Sequence, residues 1–280
     1  MKTKNAMSLK ALINKKAEEL HTLPQIVFQS YIMECLLNRI SRSPYKDNFI
    51  LKGGFLISSM IGLASRSTMD MDTTVSGITL SKSEIAKMTK YICDVPAEDD
   101  FTFVYDRVED IRETDDYPGL RVFLFADYEK IHAPFSIDVT TGDKITPAPT
   151  QYSYKRLFDA TPISVLSYPL ETVLAEKIET ILSRNIANTR LRDFYDVYIL
   201  KPFAQQSSNN LIRSALKNTA KERKTEKYIS KAKNLLAEIE HDKTMLDQWS
   251  KYTKQRPYAA GISFESVCDS IRDILQRIGI

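Results

Sequence analysis

Three acidic positions carry the strongest chemical signal in this chain. In Arg66-Ser67-Thr68-Met69-Asp70-Met71-Asp72 the two aspartates stand two residues apart, within a stretch from Thr68 to Val75 whose alternation predicts a β-strand. Side chains at i and i+2 leave a strand on the same face, so Asp70 and Asp72 project together with Met71 opposed. At strand rise their Cα atoms are ~7 Å apart, and two carboxylates so placed repel unless a cation lies between them. Mg²⁺ or Mn²⁺ suits that position, as a hard ion that takes oxygen ligands and tolerates bound phosphate. Asp138 belongs to Phe135-Ser136-Ile137-Asp138-Val139-Thr140, a second predicted strand with Phe135, Ile137 and Val139 on one face and Ser136, Asp138 and Thr140 on the other. If the two strands pair, Asp138 completes a carboxylate trio able to hold two ions, one at the acceptor oxygen and one at the NTP phosphates. An isolated Asp-x-Asp pair is equally an ordinary water-facing strand edge.

Further positions fit phosphate chemistry. Lys52-Gly53-Gly54 precedes an apolar helix, and glycines there let backbone N–H groups and the helix dipole approach an anion. The long spacing and Lys-Ser/Thr ending of a P-loop are absent; the bland alternative is a simple turn. Arg66, Ser67 and Thr68 add a cation and two hydroxyls before the aspartates, for a phosphate or for a bond that fixes the loop. Lys177 lies on the helical face marked by Val173, Leu174 and Ile181, where an ammonium is costly without a partner. It either snorkels outward or aims at a triphosphate. Asp193 and Asp196 share a face with Val197 and Leu200. They would pair with Lys177 or Arg192, or reach the base, acceptor or metal.

These residues need elements to hold them. Residues 8–21 and 25–42 read as helices, with Pro24 at the first turn of the second; 55–63 and 81–91 follow, the last capped by Ser81 with Glu84 three residues on. Residues 101–109, 120–126 and 135–140 read as strands. From about Leu166 the spacing is helical, over 169–184, 191–200, 208–218, 222–240 and 264–278. The expected architecture is α+β: an N-terminal α/β domain with a mixed sheet over 1–160, and a helical domain over 161–280 that brings Lys177, Asp193 and Asp196 to the cleft.

Bulk properties exclude several classes. The 280 residues are 43 % hydrophobic and 27 % charged with a net charge of +3, as in ordinary globular proteins. No apolar run approaches the ~20 residues that span a bilayer, and the N-terminus lacks a signal-peptide core, so a cytoplasmic protein without membrane contact is expected. Cys35, Cys93 and Cys268 and the histidines His21, His132 and His241 have no zinc-site or triad spacing. Carboxylates and lysines must carry any chemistry. Residues Leu211 to Lys233 hold eight Lys/Arg against two Glu, a charge run for nucleic acid or for a solvated helix face.

Together, LKGG (51–54), RSTMDMD (66–72), IDV (137–139), LETVLAEKIETIL (170–182), RDFYDVYIL (192–200) and the tail WSKYTKQRPYAAGISFE (249–265) resemble the AbiEii/AbiGii family of nucleotidyltransferase toxins, in the DNA polymerase β-like superfamily. The resemblance implies a toxin of a toxin–antitoxin or phage-defence pair that uses an NTP and Mg²⁺ (or Mn²⁺), with the 3′ end of tRNA as acceptor. It assigns Gly53 and Gly54 to the phosphate turn and Asp70 and Asp72 to the metal. Lys177 falls on the lysine of the AEK motif, and Asp193 and Asp196 on the acids of RDxxD. Asp138 falls on the third carboxylate, subject to strand registry. The superfamily's usual Gly-Ser turn is here Gly-Gly, which shifts phosphate contact onto backbone N–H groups, Ser67, Thr68 or Arg66. A cognate antitoxin is implied, without a stable complex, and a monomer is expected. A protein-modifying nucleotidyltransferase and a non-catalytic nucleotide-binding scaffold remain open alternatives.

Overall fold

The computed structural model describes residues 1–111 and 119–280, which form two compact units. The first comprises Met1–Gly142 and Thr150–Ser167; the second comprises Asp143–Pro149 and Tyr168–Ile280.

The first unit holds α1 (Ala6–Glu19), α2 (Pro24–Arg42), β1 (Phe49–Lys52), α3 (Gly53–Ile61), β2 (Met71–Val75), α4 (Lys82–Cys93), β3 (Thr102–Asp110), β4 (Gly119–Tyr128), β5 (Ile131–Thr140), β6 (Thr150–Tyr154) and β7 (Ile163–Ser167). Its strands make one mixed sheet in the order β3-β4-β5-β2-β1-β7-β6. β2 pairs parallel with β5 and β1 with β7, and the other neighbours are antiparallel. Period-2 alternation gives β2, β5 and β4 two unlike faces. Met71, Ile137 and Val122 are register partners and lie in the core, at most 2 % exposed. The next row, Asp72, Asp138 and Arg121, is partly exposed. α2 packs on β7, α3 on β1 and β2, and α4 on β3. Ser81 caps α4 as its spacing predicts, accepting from the Glu84 N–H at 3.2 Å.

The second unit is helical: α5 (Leu170–Arg184), α6 (Leu191–Ala204), α7 (Asn209–Glu222), α8 (Glu226–Ile229), α9 (Ala232–His241), α10 (Lys243–Gln255) and α11 (Phe264–Arg277). The single helix expected over 222–240 is broken into α8 and α9. β6 and β7, over which the sequence spacing predicts no strands, lie at the far edge of the sheet. The segment Asp143–Pro149 joins this unit through Thr146. Its N–H donates to Thr172 Oγ1 at 2.8 Å, its carbonyl accepts from the same hydroxyl at 2.9 Å, and Asn218 donates to its Oγ1 at 3.0 Å. Among the described residues no helix is long and apolar enough to cross a membrane.

Candidate active site

The site in the first unit is built on three strand ends and one turn. β1 ends at Lys52, and the chain turns at once into α3 through Gly53, whose φ is +66°. That left-handed conformation strains an L residue with a side chain. Gly53 also faces Asp72: a Cβ there would stand 2.1 Å from Asp72 Oδ2. The glycine therefore lets the Asp72 carboxylate lie against the backbone of the turn. At Gly54 a Cβ would meet Arg66 Nη2 at 2.9 Å and Thr68 Oγ1 at 3.0 Å, so the second glycine admits the loop that carries the aspartates.

That loop is held from inside. Arg66 is 1 % exposed and donates from Nη1 to the Ser67 carbonyl at 2.7 Å. Thr68 Oγ1 accepts from the Asp70 N–H at 3.4 Å and lies 3.3 Å from the Asp70 carbonyl. The strand begins at Met71 rather than Thr68, so Asp70 sits on the lip before β2 and is exposed.

The two predicted strands do pair. In the parallel β2–β5 register Asp72 is opposite Asp138, in the β1–β2 register Lys52 is opposite Asp72, and in the β4–β5 register Arg121 is opposite Asp138. One row across four strands thus reads Lys52, Asp72, Asp138, Arg121: two carboxylates flanked by two cations.

Arg121 had no part in the sequence reading. Its Nε and Nη2 donate to Asp138 Oδ1 and Oδ2, both at 2.7 Å, the fork geometry a guanidinium favours. These bonds chiefly, with the charges of Asp138, Asp70 and Asp72 behind them, hold the Arg121 pKa above its ordinary value against the opposing effect of burial. The available signal was one charged residue at a polar-face position of the otherwise apolar strand Leu120–Ala126.

The donor chemistry suits a hard divalent ion, since Asp72 and Asp70 are carboxylates beside a glycine turn. Asp138 is engaged by Arg121, and among the described residues no group of three His, Cys, Asp or Glu side chains is arranged to hold an ion.

The second unit carries the other predicted residues. Lys177 on α5 extends its Nζ to Asp193 Oδ1 at 2.5 Å and Asp196 Oδ2 at 3.1 Å, both on α6. The two acids are almost fully buried, at 2 % and 0 % exposed, and the lysine side chain is 14 % exposed. The ammonium on an apolar helix face is thus explained by two carboxylates one turn apart on the facing helix. Arg190, rather than Arg192, is the second cation at Asp193, at 3.2 Å. Asp193 also lies in the first turn of α6, where a carboxylate favours the helix dipole.

The basic run over 211–233 divides in two. Arg223 turns inward to Glu176 at 3.1 Å and Glu179 at 2.6 Å, and Arg213 donates to the Ile278 carbonyl. Lys217, Lys221, Lys224, Lys227, Lys231 and Lys233 are exposed.

The model of the family described as "Nucleotidyl transferase AbiEii toxin, Type IV TA system" matches residues 35–276. A candidate nucleotidyltransferase from H. pylori shares the fold at 13 % identity and a TM-score of 0.50, over 91 % of this chain and 94 % of that one. JHP933 from Helicobacter pylori aligns at 14 % identity and a TM-score of 0.49, over 91 % of each chain. No curated protein matches the sequence.

Proposed function

Because the chain belongs to the AbiEii family of nucleotidyltransferase toxins from type IV toxin–antitoxin systems, we propose that it transfers a nucleoside monophosphate from an NTP to the 3′ end of tRNA, in the cytoplasm and in the service of phage defence. The observation that carries this reading is the register of Asp72 opposite Asp138, with Asp72 laid against the Gly53 turn.

In the proposed reaction the acceptor hydroxyl oxygen forms a bond to the α-phosphorus. The bond from that phosphorus to the bridging oxygen breaks, and pyrophosphate leaves. The hydroxyl proton passes to a carboxylate oxygen of Asp138, which orients the acceptor. Backbone N–H groups of Gly53 and Gly54 at the start of α3 meet the phosphates, with Lys52 and Ser67 beside them. Arg66 and Thr68 hold the turn and the Asp70 lip in place. Asp70 and Asp72, with Asp138, would hold Mg²⁺ or Mn²⁺, which when bound supplies charge neutralisation at the triphosphate and a more acidic acceptor hydroxyl. Lys177 is assigned to the triphosphate, with Asp193 and Asp196 as the acids that pair with its ammonium. The six exposed lysines of α7–α9 suit the phosphate backbone of an RNA acceptor. The antitoxin acts without a stable complex, and the toxin works as a monomer.

The test is purified protein with Mg²⁺, each α-³²P-labelled NTP in turn, and total bacterial RNA and protein, with Asp72→Ala as control. Label on a tRNA-sized band with wild type alone is the expected result. Label on protein with RNA unlabelled would replace this reading with protein nucleotidylation. Absence of label on both, with toxicity retained by Asp72→Ala, would replace it with a non-catalytic scaffold.

A further inference from the structure

We propose that Arg121 is the resident counter-cation of the carboxylate row, holding Asp138 in competition with the divalent ion. The inference rests on the reading of Asp70, Asp72 and Asp138 as the ion-holding group.

Arg121 and Asp138 are register partners on β4 and β5, and the guanidinium spans both carboxylate oxygens at 2.7 Å. Each oxygen of Asp138 then has one lone pair committed to Arg121, so an ion that ligates Asp138 must share the carboxylate with the guanidinium charge. The influence of Arg121 extends past Asp138, since Asp70 and Asp72 both act on it electrostatically. With Lys52 opposite Asp72 at the other end, each acid of the row has a basic neighbour in the sheet.

This arrangement removes the repulsion that two adjacent carboxylates would otherwise bring to folding. It also opposes ion entry, because a fixed positive charge beside the donors lowers their affinity for another cation. The opposition is surmountable. The side chains of Arg121 and Asp138 are 44 % and 19 % exposed, and an ion pair at the solvent margin is weak. Ion loading therefore proceeds against the charge of Arg121 and loosens its hold on Asp138. Arg121 acts through Asp138 and is a positioning residue.

The experiment is Mn²⁺ titration of the full chain without nucleotide, followed by the electron paramagnetic resonance signal of the free ion. Arg121→Gln is expected to lower the Mn²⁺ Kd by about tenfold, in line with loss of one nearby charge. Arg121→Lys keeps the charge but loses the fork, and is expected to fall between wild type and Arg121→Gln. In an Asp138→Asn background the gain from Arg121→Gln should shrink. Circular dichroism checks folding, and if Arg121→Gln does not fold, Arg121→Lys alone decides. An unchanged or higher Kd in the folded variant, while Asp72→Asn abolishes wild-type binding, overturns the role of Arg121 and leaves the carboxylate reading standing. Failure of wild type and Arg121→Gln alike to bind millimolar Mn²⁺ overturns both.

Discussion

Gly53 and Asp72 occupy a space that one methyl group would fill: a Cβ on Gly53 would stand 2.1 Å from Asp72 Oδ2, at a φ of +66°. Gly53→Ala should cost about 1–2 kcal/mol from the left-handed backbone alone and more from displacing the carboxylate. Gly261, at φ +80° with nothing within 4 Å of its would-be Cβ, is a positive-φ glycine without such a contact. Nucleotide transfer should fall in Gly53→Ala and not in Gly261→Ala, and urea unfolding of both checks that each variant is folded.

Lys177 is the shared partner of two acids that are at most 2 % exposed. Removing one member of a buried ion cluster leaves uncompensated charge and costs about 3–5 kcal/mol. Lys177→Ala should therefore lower stability by that order, and Asp196→Asn should relieve part of the loss when combined with it. A double-mutant cycle by denaturant unfolding reads the coupling. Additive effects would separate the lysine from the acids.

Glu34, 1 % exposed in α2, accepts from the Leu157 N–H at 2.7 Å and faces Arg156 at 3.5 Å. Burial, outweighing those two contacts, raises its pKa to about 7. Between the ordinary carboxylate pKa and about 7 the folded protein binds the extra proton, so stability falls as pH rises through that window and levels off above it. Glu34→Gln keeps an acceptor for Leu157 and removes the titration. Its unfolding free energy should vary less with pH across the window than that of wild type.

The six exposed lysines between Lys217 and Lys233 predict a salt-sensitive RNA contact. Replacing Lys217, Lys221 and Lys224 by Glu should weaken tRNA binding at least about tenfold and flatten its dependence on salt. Filter binding at several ionic strengths measures both. NTP binding should be unaffected.

The sequence alternation set Asp72 opposite Met71 and placed Asp138 on the polar face of its strand, because period-2 patterning survives without knowledge of neighbours; Asp70, read on the same strand as Asp72, lies just before β2. It could not show that β2 and β5 are adjacent and parallel, since that pairing joins segments distant in the chain, with α4, β3 and β4 between them. Arg121 escaped for the same reason: its meaning lies in its cross-strand partner. β6 and β7 were unreadable because Thr150–Tyr154 and Ile163–Ser167 are short and flanked by prolines and polar residues, and only pairing gives them strand form. Most helices of the second unit were legible from their apolar spacing. Two features were not: α10, whose buried side chains are Met245 and Trp249 alone and give little apolar periodicity, and the break between α8 and α9 around Ser230-Lys231, where no proline or glycine marks the interruption.

The chain passes between its two compact units three times, at Gly142–Asp143, Pro149–Thr150 and Ser167–Tyr168. A fragment cut at Ser167 would keep the whole sheet yet strand Thr146 without Thr172 and Asn218. A fragment starting at Tyr168 would leave those two side chains without their partner. Dissecting this protein into separately expressed halves thus calls for a short replacement loop joining Gly142 to Thr150, with the excised heptapeptide supplied in trans or grafted onto the helical half.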